Sequence, residues 1–196
     1  MLLFINACVR SNSRTKRLAD RVLAKKAQPI TEVRLEEIDF PVADEAFLKR
    51  RDRLIENRAF DDSLFALARQ FAEADEIVIA APFWDLSFPA ALKQYFEQIN
   101  VPEITFCYTE EGVPQGLCKA EKLTFVTTSG GDFFPEEFIN AICHIRRLLH
   151  LGQQNTATNG MDATCWEIKH ITCFYLVASK HFGYGSILYP TLVFLR

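Results

Sequence analysis

Residues 1–6 (MLLFIN) are apolar, β-branched or aromatic almost without a break. A run that short and that continuous predicts a strand buried on both faces. Residues 13–26 then change period: Leu18, Val22 and Leu23 fall on one side of a helix and Arg and Lys on the other. Residues 31–38 (TEVRLEEI) alternate as a strand with one wetter face, at or near a sheet edge. Residues 44–75 predict a long helical region, heavily charged over EAFLKRRDRLIENRAF. Its second half carries Leu64, Leu67, Ala68 and Phe71 at helical spacing. A third buried strand occupies 76–81. The helix after it sets Phe88, Leu92, Tyr95, Phe96 and Ile99 in one apolar stripe.

Residues 101–121 break the alternation. The stretch ITFCYTEEGVPQGL, with turn residues Gly112, Pro114 and Gly116, predicts a hairpin-like flap. Residues 122–128 (KLTFVTT) are a fourth strand, followed by a glycine turn. A helix then opens at Pro135, Glu136 and Glu137, where proline and acids suit a first turn. Residues 171–179 (ITCFYLVAS) serve as a fifth strand. Strands alternating with helices predict an α/β fold: a doubly wound, five-stranded parallel sheet with helices on both faces. One domain over 1–196 is expected, regular through residue 140 and atypical over 141–196, because no linker or charge run divides the chain.

Charge and cysteine usage narrow the function classes. A net charge of −3 gives the molecule as a whole no electrostatic reason to bind nucleic acid or an anionic membrane. Any phosphate must be met locally. The six cysteines form no CxxC pair and no ladder of short spacings, which predicts free thiols in a reducing, cytoplasmic setting. Residues 1–7 lack a basic leader, and the apolar runs near the end are about half the roughly 20 residues of a spanning helix. Beyond Glu137 only Asp162 and Glu167 are acidic, while all four histidines lie there. The spacings among Cys143, His144, His150, Cys165, His170, Cys173 and His181 match no usual zinc pattern, so no metal is expected. No cysteine sits at a recognisable nucleophile position, and Glu110 and Glu111 read as a solvated turn.

In a doubly wound sheet, ligands sit beyond the carboxyl ends of the strands. Three such exits carry chemistry here. After strand one, NACVRSNSRTKRLA sets Ser11, Ser13 and Thr15 among Arg10 and Arg14 at a helix start, where free amides and the helix dipole favour an anion. An ordinary capped helix with solvated arginines explains the same residues equally well. No GxGxxG and no Walker lysine motif is present. After strand three comes Pro82, Phe83, Trp84, Asp85 and Leu86. Either these are loop-side core aromatics, or the rings and the amides of 83–86 line a flat, polar-edged heterocycle. After strand four, Thr128, Ser129, Gly130 and Gly131 offer donors and close backbone approach. Phosphate donors at one exit and ring walls at two others describe a mononucleotide with a large flat head, and flavin mononucleotide (FMN) fits best.

The blocks NACVRSNSRTKRLA, AAPFWDLSFPAALKQYFEQI, ITFCYTEEGVPQGL and FVTTSGG, in that order, resemble the flavodoxin-like FMN-dependent NAD(P)H:quinone oxidoreductases and azoreductases. That family includes proteins labelled acyl-carrier-protein phosphodiesterase. The resemblance covers about residues 1–140. It implies phosphate contacts from Ser13, Arg14 and Thr15 with help from Arg10. It also implies isoalloxazine contacts from Phe83, Trp84, Asp85 and Leu86 and from Thr128, Ser129, Gly130 and Gly131, with Pro82 at the same turn. Many relatives carry serine where this chain has Cys8. The family forms homodimers with flavin near the interface, and the 101–121 excursion belongs there.

The expected reaction is ping-pong: NADH or NADPH reduces the flavin, oxidised nicotinamide leaves, and a quinone or azo compound is reduced in the same place. The flavin carries the chemistry, so no catalytic side chain is required. A flavodoxin-type electron carrier is the rival reading, disfavoured by a weakly acidic chain with a cationic phosphate loop. Residues 141–196 depart from the family ending of strand, acidic turn and amphipathic helix. A divergent ending and an altered reading frame both account for them.

Overall fold

The computed structural model describes residues 1–85, 87–129 and 171–177, with Ser129 and 171–177 described as backbone alone. Strand β1 (Leu2–Asn6) leads to helix α1 (Arg14–Leu23) and strand β2 (Ile30–Arg34). Helices α2 (Glu45–Glu56) and α3 (Ala66–Glu73) precede β3 (Glu76–Ala80), and α4 (Ala90–Ile99) follows it. Short strands β4 (Phe106–Tyr108) and β5 (Pro114–Gly116) pair antiparallel. Strands β6 (Lys122–Ser129) and β7 (Ile171–Val177) complete the main sheet.

That sheet has the order β2-β1-β3-β6-β7, and every pair of neighbours is parallel. The chain leaves β1 for β2 on one side and returns to β3 on the other. The order therefore reverses between β1 and β3, and the crevice of a doubly wound sheet opens beyond their carboxyl ends.

Side-chain alternation along the strands feeds two cores. Leu3, Ile5, Ile77, Ile79, Leu123 and Phe125 share one buried cluster with Phe71 of α3 and with Leu92, Tyr95, Phe96 and Ile99 of α4. Leu2, Phe4, Val78, Ala80 and Val126 share the other with Leu18, Ala19 and Leu23 of α1. Successive strand residues point to opposite faces, so continuous apolar runs supply both layers. Each fully buried Leu, Ile or Phe contributes about 1.5–3 kcal/mol, and this sandwich holds the strand exits in place.

Three details differ from the sequence expectations. The 44–75 region is two helices: α2 ends at its cap Asn57, Arg58 turns left-handed at φ 53°, and the Asp62 carboxylate accepts from the Leu64 amide at 2.8 Å to start a new 3-10 turn at Ser63–Phe65. Strand β2 stops at Arg34 because Leu35 turns inward and is buried in a second 3-10 turn, Leu35–Glu37. The β2 strand does lie at the sheet edge as expected. Helix α4 begins only at Ala90, behind Pro89, so Phe88 lies before the helix. Its ring still meets Phe96 edge-on, at 5.8 Å and 89°. The expected flap is the β4–β5 hairpin, turned at Gly112 with φ 75°. Strand β7 forms within the expected 171–179, parallel to β6. The helix expected from Pro135 lies outside the described residues.

Candidate functional site

Asn6 ends β1 as a polar residue in a buried strand. Its side-chain oxygen accepts from the Cys8 amide at 3.0 Å, and its side-chain nitrogen donates to Glu32 Oε1 at 2.8 Å. This Asx turn bends the chain away from the sheet and fixes the start of the loop. The Cys8 thiol donates to the Ala80 carbonyl at 3.7 Å. Burial pushes the thiol's pKa up, against opposing pulls from the Ser13 hydroxyl and the Lys16 ammonium. Ser13 N–H donates to Arg10 O at 3.0 Å, closing a turn that presents Arg10 and Arg14 to solvent.

The first turn of α1 then has a countable set of donors. Ser13 is the N-cap, and its side chain accepts from Lys16 N–H at 3.2 Å. Its carbonyl accepts the first intrahelical bond, from Arg17 N–H at 3.1 Å. A helix start carries four amides without an intrahelical partner. With those of Ser13 and Lys16 engaged, the amides of Arg14 and Thr15 are left without a protein partner among the described residues. The Lys16 ammonium is committed elsewhere, to Asp20 at 2.6 Å and over the Phe4 ring at 5.5 Å. Arg10 and Arg14 make no ion pair among the described residues.

The exit of β3 is tied to the exit of β6. Ala81 N–H donates to Val126 O at 3.0 Å and Phe83 N–H to Thr128 O at 3.1 Å. On the other side, Ala7 N–H donates to Ala80 O at 2.8 Å. A ladder of backbone bonds therefore joins all three exits. Trp84 and Ser87 exchange both of their amide–carbonyl bonds, at 3.1 and 2.9 Å, around a tight turn in which Asp85 is left-handed at φ 49°. Pro82 is buried, Phe83 is half-buried against the α3–α4 core, and Trp84 is 38% exposed.

Three sequence expectations change in detail. Ser13 acts as an ordinary helix cap, although its O–H remains able to donate. The Thr15 side chain is 1% exposed, and its Oγ1 lies 2.6 Å from Oγ1 of Thr128, so that hydroxyl is engaged inside the protein and the Thr15 amide is what remains. Of the amides in 83–86 expected to meet a ring edge, those of Phe83 and Trp84 are used internally, because the turn must first satisfy its own backbone. The Asp85 amide is left without a partner among the described residues. Leu86, Gly130 and Gly131 lie outside the described residues, as does the side chain of Ser129. Sequence reasoning missed Asn6 and Ser87. A lone polar residue closing a buried strand was the available signal for Asn6, whereas nothing local marks Ser87.

Among the described residues, no group of three or more His, Cys, Asp and Glu is placed to hold a metal ion. All four histidines lie outside them. No described helix is long and apolar enough to cross a membrane.

Comparison with known proteins gives concordant likenesses. An FMN-dependent NADH:quinone oxidoreductase of Lachnoclostridium phytofermentans is 39% identical over 143 residues, 67% of this chain and 70% of that protein. An FMN-dependent NADH:quinone oxidoreductase 2 of Clostridium acetobutylicum is 53% identical over 73 residues, which is 36% of its length. Among solved structures, an azoreductase of Bacillus anthracis str. Sterne superposes with a TM-score of 0.68 at 22% identity, over 90% of this chain and 86% of that one. An FMN-dependent NADH-azoreductase of Bacillus anthracis str. Ames Ancestor, in complex with FMN, gives 0.67 at 18% identity, over 90% and 86%. At such identities these superpositions establish the fold. A family match covers residues 1–151, a span containing every strand of the main sheet but β7, and on that match the chain belongs to the family of the flavodoxin-like fold.

Proposed function

We propose that this protein is an FMN-dependent oxidoreductase that passes hydride from NADH or NADPH, through the flavin, to a quinone or azo compound in ping-pong order. The curated relatives matched over two thirds of the chain are FMN-dependent NADH:quinone oxidoreductases, which supports both the cofactor and the enzyme class. The observation that carries the reading is the convergence of the exits of β1, β3 and β6 through Ala7–Ala80, Ala81–Val126 and Phe83–Thr128.

The donor set fits FMN. Two adjacent free amides, the positive end of α1 and the Arg10 and Arg14 guanidiniums suit a phosphate dianion. Phe83 and the partly exposed Trp84 offer an apolar wall, and the left-handed turn at Asp85 presents an amide at its rim. The flavin, when bound, supplies the two-electron chemistry. The protein's part is to anchor, orient and exclude water. Arg10, Ser13, Arg14 and Thr15 hold the phosphate end. On this reading Pro82, Phe83, Trp84, Asp85 and Leu86 supply one wall and Ser129, Gly130 and Gly131 the other, while Thr128, its carbonyl and hydroxyl engaged with Phe83 and Thr15, braces them. Amides of the two walls favour negative charge developing on the ring edge.

The reading extends to a cytoplasmic homodimer. The β4–β5 hairpin supports it by exposing Tyr108 at 63%, Val113 at 47% and Leu117 at 40%, apolar area that a second subunit would cover. The test is anaerobic addition of NADH to the FMN-loaded protein, followed by a quinone. Rapid bleaching of the visible flavin band and its return on quinone addition are expected. A band that NADH leaves unchanged assigns the chain to electron carriage instead.

A further inference from the structure

Thr128 has both its carbonyl and its hydroxyl engaged across the crevice, and they reach different exits. Its carbonyl accepts from the Phe83 amide at 3.1 Å and so holds the turn proposed as the ring wall. Its hydroxyl meets Thr15 Oγ1 at 2.6 Å, across 113 residues of sequence. Thr15 is the second residue of α1, and its amide is one of the two left free there. Both side chains are nearly inaccessible, at 1% and 7%, so water cannot replace either partner. The bracket also lies on a firm support, because β6 pairs with β3 as far as Val126 and with β7 as far as Ser129.

We infer that Thr128 is a positioning residue for the phosphate end of the cofactor: acting through Thr15, it fixes the first amides of α1 at a set distance from the Phe83–Asp85 turn. This rests on the FMN reading above and deepens it. A phosphate and a fused ring joined by one ribityl chain demand that their two half-sites keep a fixed separation. A hydroxyl pair between α1 and β6 supplies that constraint from inside the protein, the two hydroxyls being engaged with each other. Since either oxygen can be the donor, the contact tolerates a hydroxyl from serine but not an isosteric methyl.

The test compares FMN with riboflavin, which lacks the phosphate, by fluorescence quenching on apoprotein. Wild type, Thr128→Val and Thr128→Ser are measured together. Thr128→Val is expected to weaken FMN about tenfold, the worth of one hydrogen bond, while leaving riboflavin within about twofold. Thr128→Ser is expected to restore the wild-type ratio. Should Thr128→Val not fold, the pair Thr15→Val with Thr128→Val, which leaves neither hydroxyl unpaired, is expected to show the same selective loss. Equal weakening of both ligands, unchanged FMN affinity, or failure of serine to rescue overturns the inference while leaving the cofactor assignment standing. Wild-type protein that takes up no FMN overturns both.

Discussion

The amide of Phe83 donates to the carbonyl of Thr128 at 3.1 Å, three residues past Ala80 and two past Val126, the last pair of the regular β3–β6 ladder. That bond turns an aromatic loop into the continuation of a sheet. It explains why two large rings stand where the backbone leaves β3. The loop is braced on β6, so Phe83 can lean on the core while Trp84 stays partly exposed.

The cationic loop is the first place to test that geometry. Arg10 and Arg14 are exposed and make no ion pair among the described residues, so removing them costs the fold little. Arg10→Ala with Arg14→Ala should weaken FMN about 10- to 100-fold, as loss of charge-assisted hydrogen bonds requires. The apoprotein melting temperature should stay within about 2 °C, since surface changes of this kind are nearly neutral. Calorimetry and fluorescence titration on one preparation check both halves.

Ser13 has the opposite balance. Its side chain caps the Lys16 amide, and Ser13→Ala should cost about 1 kcal/mol in urea unfolding. Ser13→Asp keeps the acceptor and should recover the stability, yet it places a negative charge where a phosphate is proposed to bind. A variant that regains stability and loses FMN separates the two roles. A variant that binds FMN normally argues against a phosphate at this turn.

Tyr95 offers a prediction about the core alone. Its hydroxyl is fully buried with no hydrogen-bond partner among the described residues, between Phe71 and Phe96. An unsatisfied buried hydroxyl costs about 1–3 kcal/mol, so Tyr95→Phe should stabilise the protein by about 1 kcal/mol or more in denaturant melts. A destabilised variant would show that the hydroxyl has a partner.

The pH dependence follows from the thiols. Burial pushes Cys118 from 9.0 up to about 12, and Cys8 also lies above its ordinary value through burial. In this range the unfolded thiol releases its proton before the folded one does, so the folded state binds more protons and stability falls as pH rises. Stability should be unaffected by Cys118 below about pH 9, then decline between pH 9 and about 12 by at most about 1.4 kcal/mol per pH unit. Cys118→Ala should flatten that decline. For the same reason Cys8 and Cys118 should alkylate slowly in native protein at pH 8 and quickly in urea.

How much of this was legible beforehand depends on whether a feature is local. The strands β1, β3 and β6 are apolar runs, and the α4 stripe has helical period, so periodicity alone placed them. The turns proposed to form the site could be picked out because they follow strands at one end of the sheet. The break after Asn57 was not, since a charged helix with no buried residue has no apolar stripe whose end could be read. The pairing of Thr15 with Thr128 was invisible for another reason. Two threonines 113 positions apart carry no sign that their hydroxyls meet until the sheet order is known. Ser13 shows the limit of pattern: capping and phosphate binding use the same residue at the same place, and only the geometry of Lys16 shows that capping is in force.

The most direct measurement is titration of the apoprotein into FMN, followed by flavin fluorescence. If three strand exits form one cleft for ring and phosphate, the emission falls to a sharp end point at one FMN per chain, and free inorganic phosphate competes. Emission that stays unchanged as protein is added in excess would contradict the account.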